Sequence, residues 1–180
     1  PDLALMPLAK ENNVNNLQEQ ICIFPSELIF HYTEKKSRAK CLSFYIKICN
    51  EINKKYPDKK LLLIHHVLKP DSSDDRKMVK DIYLKLKDSM KDKLHMYDNE
   101  MYPYQVREEI KKSSFIVTAR MHPYISSIEC NIPGVCFSYS RKYWGIIGEG
   151  YNLKDCIIDI RQGSEKDWVQ GFLLALDKLM

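Results

Sequence analysis

Apolar residues fall in short, dense runs separated by stretches with helical spacing. Ile21-Cys22-Ile23-Phe24 ends in Pro25-Ser26, Leu61-Leu62-Leu63-Ile64 ends in His65-His66, and Phe115-Ile116-Val117-Thr118 ends in Ala119-Arg120. Runs of this length, bounded by turn formers, predict buried strands. The run at 61–64 has no polar alternation, as expected of a strand covered on both faces. Leu94 to Tyr97, Val135 to Phe137 and Cys156 to Ile160 predict three more strands. Between them, Ser37 or a neighbour caps a helix running to about Lys55, with Cys41, Leu42, Tyr45, Ile48, Cys49 and Ile52 on one face. Tyr56-Pro57-Asp58 breaks it. A second helix carries Met78, Ile82, Leu84 and Leu86, and a third spans Tyr104 to Ser113 with Val106 and Ile110 inward. Pro123 opens a fourth helix through Cys130, stopped by Asn131-Ile132-Pro133-Gly134. Tyr143 to Gly150 reads as a short helix and loop. Ser164 caps a last helix, with Trp168, Phe172, Leu173, Ala175, Leu176 and Leu179 on its apolar face.

Strands alternating with helices predict an α/β, Rossmann-like, doubly wound fold: a mainly parallel six-stranded sheet with helices on both faces. In such sheets a ligand sits beyond the carboxyl ends of the strands, where strand order reverses. In the Rossmann order that point lies between strands one and four. Strand one ends at Pro25-Ser26-Glu27 and strand four at Arg120-Met121-His122. The glycine-rich turn of a dinucleotide site is missing after strand one, which argues against NAD.

The chain of 180 residues is long enough for one domain with a real core. Residues 1–20 read as an entering or linking segment and 21–180 as the domain. The net charge of +4 is mild and its lysines are interleaved with acids, which argues against nucleic acid. No apolar run approaches the roughly 20 residues that cross a bilayer, and no leader-peptide pattern opens the chain. The chain starts at Pro1 rather than Met, as a fragment or a processed form would. Six cysteines lack paired spacing and read as small buried hydrophobes in a reducing compartment, with no argument for zinc or disulfides.

The chemistry gathers after strand four. A helix N-terminus there offers backbone N–H groups and the positive end of its dipole. Arg120 adds a fork that matches phosphate or carboxylate, and His122 a group able to give or take a proton. Lys142, Tyr139, Ser26, Glu27 and His66 complete the candidate set. Adjacent strand residues face opposite ways, so one member of the His65-His66 pair reaches the crevice, and His66 is preferred. For each candidate a structural role competes: a salt bridge for Arg120, a backbone contact for His122, a solvated surface for Lys142 and Glu27, ring packing for Tyr139. Tyr143-Trp144 is either a sugar platform or a lid, or packs beneath its own loop. His31 and His95 carry no functional argument.

The segment Phe115 to His122, followed by Ile132-Pro133-Gly134-Val135, Ser138 to Lys142 and Ile158-Asp159, resembles the C-terminal half of the polysaccharide pyruvyl transferase family. The shared features are a strand ending in Arg-Met-His, an Ile-Pro step and a Tyr-x-x-Lys segment. Leu62 to His66 with Asp74 or Asp75, and Pro1-Asp2-Leu3-Ala4-Leu5, are similar more loosely. The resemblance implies the C-terminal, donor-binding domain of a two-domain, GT-B-like transferase, with the N-terminal domain of the same protein as its partner. It implies transfer of a pyruvyl group from phosphoenolpyruvate to a sugar of a cell-envelope polysaccharide, an exopolysaccharide or a lipid-linked precursor. It implies no cofactor or metal, and a cytoplasmic location, at the inner face of the membrane if contact is peripheral. In that scheme His122 is the acid, Arg120 clamps one anionic group of the donor and Lys142 pairs with the other. Two other readings stay open: a nucleotide-sugar glycosyltransferase, whose diphosphate would use the same crevice, and a catalytically silent glycan- or phosphate-binding domain.

Overall fold

A computed structural model describes residues 19–33, 37–68 and 73–179. The predicted linking segment, apart from Glu19 and Gln20, lies outside the described residues, as do Lys69 to Ser72 of the loop before the second helix. The strands are β1 (Gln20–Phe24), β2 (Lys60–Leu63), β3 (Leu94–Met96), β4 (Ser113–Thr118), β5 (Gly134–Ser138) and β6 (Ile157–Asp159). They form a six-stranded sheet in the order β3-β2-β1-β4-β5-β6, and every pairing is parallel. This is the doubly wound Rossmann order. Its reversal falls between β1 and β4, where Phe24 lies beside Thr118.

The period of two along the central strands divides the core. Ile21 and Ile23, Phe115 and Val117, and Val135 and Phe137 point to one face. There they pack against α1 (Arg38–Lys55), α2 (Asp75–Met90) and α5 (Glu165–Leu179). Cys22, Phe24, Leu62 and Ile116 point to the other, against Val106 and Ile110 of α3 (Pro103–Lys111). Cys136 and Ile157 pack with Tyr124 of α4 (Met121–Glu129) on that same side. Strand residues with no exposed face are what a sheet covered on both sides requires.

The predicted caps on α1 and α5 hold. The Ser37 side chain accepts from Lys40 N. Ser164 Oγ accepts from Asp167 N while Asp167 Oδ2 accepts from Ser164 N, a reciprocal cap. Asn131, in the left-handed region at φ 55°, turns the chain after α4. Gly134 is required by close approach: a Cβ there would lie 2.9 Å from Ile116 Cγ1 and 3.1 Å from Tyr124 Cε2.

Several expectations are corrected. The fourth helix begins at Met121, not Pro123, so His122 lies inside its first turn and Pro123 is its third residue. The third begins at Pro103, and Cys130 follows α4 rather than ending it. Leu84 is 49% exposed, because α2 turns only Met78, Val79, Ile82, Leu86 and Met90 inward among its hydrophobics. Trp144–Gly150 is a π-helix. A 3-10 helix at Glu27–Tyr32, capped by Ser26, follows β1. Of the six cysteines, all free, Cys130 alone is not buried, and burial pushes the thiols of Cys22, Cys41 and Cys49 up to about 12. Among the described residues no helix is long and apolar enough to cross a membrane.

Candidate active site

The crevice at the strand-order reversal is built around Asp75, the first residue of α2, whose exposure is 0%. Asp74, just before it, caps α2 by accepting from Arg76 N, which frees Asp75 to reach across the sheet. Asp75 Oδ1 accepts from Glu27 N at 2.9 Å and from Arg120 Nη2 at 2.7 Å. Its Oδ2 accepts from Val67 N and from Arg120 Nε, both at 3.0 Å. One carboxylate thus ties together the segments that follow β1, β2 and β4.

Arg120 meets Asp75 side-on through Nε and Nη2, and Nη2 also donates to Ser73 O at 3.2 Å. Burial works against its charge, but the hydrogen bonds and charge of Asp75 outweigh burial and raise the guanidinium pKa. Its backbone is fixed by Thr118, whose Oγ1 accepts from Arg120 N at 2.8 Å and donates to Arg120 O at 2.9 Å. This short loop lets the chain leave β4 and start α4 within two residues.

His122 is exposed, and its ring lies 6.0 Å from that of His66, centroid to centroid. His66 is therefore the member of the adjacent pair that meets His122. His65 is buried and lines a different cavity. Burial first, then the positive charges of His122 and Arg120, push the His66 pKa down to about 4.

Tyr139 is half-buried between two other tyrosines. Its ring stacks on that of Tyr32 at 5.1 Å and meets that of Tyr143 edge-on at 5.3 Å. Tyr143 is buried and donates its hydroxyl to Ala119 O at 2.9 Å, which rules it out as a sugar platform. Trp144 is half-buried. Lys142 is exposed, and no ion pair among the described residues holds it.

The structure does not gather the remaining candidates as ligand contacts. Ser26 is buried, its Oγ accepting from Leu28 N and its N–H donating to Tyr45 Oη. Glu27 is buried rather than solvated and pairs through both carboxylate oxygens with Arg38. Sequence reasoning left Asp75 as one of two acids, Asp74 or Asp75, in the looser part of the family resemblance, and it did not single out Tyr32. Tyr32, 48% exposed, gave no periodic signal.

A parallel sheet in Rossmann order, with Arg120 and His122 beyond the carboxyl end of a central strand, defines a Rossmann-like α/β domain. The family model for polysaccharide pyruvyl transferase matches residues 1–141, and the chain belongs to that family. The match includes Asp75, Arg120, His122 and Tyr139 and ends one residue before Lys142. Among curated proteins, none matches this chain.

Proposed function

We propose that this domain binds phosphoenolpyruvate and takes part in transferring its pyruvyl group to two hydroxyls of a glycan sugar, as a ketal. The observation that carries the reading is the joining of Arg120, His122 and His66 at the strand-order reversal of a family member. The donor has a phosphate and a carboxylate. Arg120, braced by Asp75, faces one of these groups, and Lys142 the other.

His122 gives a proton to the donor's methylene carbon, which becomes the methyl group, and C2 becomes electrophilic. One sugar hydroxyl forms a bond to C2. The bond from C2 to the bridging oxygen breaks, and phosphate leaves with that oxygen. A second sugar hydroxyl then bonds to C2. The two hydroxyls release two protons: one restores His122 and the other leaves with phosphate or solvent. Products are the pyruvate ketal and inorganic phosphate. The site of action consistent with this scheme is the cytoplasmic side of the membrane, on a glycan or its lipid-linked precursor, with the acceptor shared with an N-terminal domain.

A titration of the isotope-labelled 180-residue chain tests the donor, with amide shifts as the readout and uridine diphosphate as the rival. The expected result is movement at Arg120, His122 and Lys142 with phosphoenolpyruvate. Movement there with the nucleotide alone would replace this reading with a nucleotide-sugar transferase.

A further inference from the structure

A cavity of about 320 Å³ lies between the carboxyl ends of β2 and β3 and the first turns of α2. Val79 and Met96 supply apolar surface, and Tyr97 a ring. The polar lining is His65, Arg76, Lys80 and Asp98. None of these residues belongs to the crevice around Arg120.

His65 is 4% exposed, and its Nε2 has no hydrogen-bond partner. A buried polar atom left unpaired is costly, so a partner arriving from the adjoining cavity is the economical explanation. Burial first, with the charge of Arg76 adding to it, lowers the His65 pKa and favours the neutral ring. A neutral imidazole nitrogen is either a lone pair or a single N–H, and a hydroxyl can answer both. The charges do not select an anion. Arg76 is already bound by Asp74 at 2.7 Å, and the exposed rim residues Lys80 and Asp98 have opposite signs. Carboxylate and ammonium groups around a small apolar floor suit a ring bearing hydroxyls on its edge and C–H groups on its face. The volume sits at the lower end of the roughly 300–1,000 Å³ seen for ligand pockets, room for one such ring rather than a nucleotide.

We infer that this cavity is a carbohydrate subsite holding one pyranose unit through His65 Nε2, Lys80 and Asp98. Its binding chemistry is independent of pyruvyl transfer; its use, as a hold on the acceptor glycan away from the reacting sugar, rests on that reading.

The test is a titration of the labelled chain with the methyl glycosides of glucose, galactose and N-acetylglucosamine, then with inorganic phosphate and phosphoenolpyruvate. At least one glycoside is expected to move the His65 Nε2 signal and the Tyr97 and Asp98 amides. Asp98→Ala, at an exposed position, is expected to weaken that glycoside about 10-fold through loss of a hydrogen bond to a charged group. The inference is overturned if no glycoside moves His65, if phosphate does so where glycosides do not, or if Asp98→Ala leaves affinity unchanged. Shifts at Arg120 and His122 with phosphoenolpyruvate report on the other crevice separately, so either reading can fail without the other.

Discussion

Two kinds of charge meet at the strand-order reversal. Asp75 and Arg120 are buried, and the carboxylate is satisfied by Arg120 and two backbone N–H groups. His122 and Lys142 are exposed. The buried pair holds three loops in register, while His122 and Lys142 face solvent. The difference separates the roles that one label, "site residue", would merge: Arg120 is a structural brace held by Asp75, and the acid role proposed for His122 falls on an exposed group.

Removing the brace is expected to have the largest effect. Asp75→Ala would leave Arg120 buried without its counter-charge and orphan the N–H groups of Glu27 and Val67. Breaking such a pair costs about 3–5 kcal/mol, and urea unfolding should register a loss of that size together with loss of donor binding. The paired variant Asp75→Leu, Arg120→Met should recover much of the stability and none of the binding. Equal losses in single and paired variants would show that the two residues do not act as a unit.

Next are the exposed groups. His122→Ala is expected to lower turnover about 10²–10⁴-fold, the usual worth of a positioned acid. Near wild-type turnover in an intact transferase would remove His122 from the acid role. Lys142→Ala should act more weakly, raising the phosphoenolpyruvate dissociation constant about 10-fold through loss of one charge-assisted contact. An unchanged constant would return Lys142 to the solvated surface.

The same contrast explains what could be read from the sequence. The strands and the two faces of the sheet were legible because apolar runs and periodicity are local. So were the caps at Ser37 and Ser164, each bonded to an N–H three residues on. The switch point followed from strand count and order. The start of α4 was misplaced because Pro123 suits a first helical turn generally, and the Thr118 hydroxyl lets the helix begin earlier at Met121. The brace was invisible because Asp75 meets Glu27 and Arg120 across 48 and 45 positions, a distance no spacing pattern spans. Glu27 looked like a solvated carboxylate because its partner Arg38 lies 11 residues on, beyond the 3-10 helix that no apolar pattern announced.

The smallest effect, and the most direct reading of the crevice, is the titration of His66. Its pKa of about 4, against an ordinary 6.5, has burial as its first cause and the charges of His122 and Arg120 next. Protons then bind the unfolded chain more readily than the folded one between those two values, so His66 contributes a loss of stability as pH falls from 6.5 toward 4. An anion seated between His66, His122 and Arg120 would offset the two neighbouring charges while leaving burial in place. Phosphoenolpyruvate should therefore raise the His66 pKa, and saturating donor should flatten that part of the acid limb. Imidazole proton shifts followed from pH 7 to 3.5, with and without donor, measure both. A His66 pKa that donor does not move, in a chain that binds it, would put the anion elsewhere and leave the His66–His122 contact as packing at the mouth of the crevice.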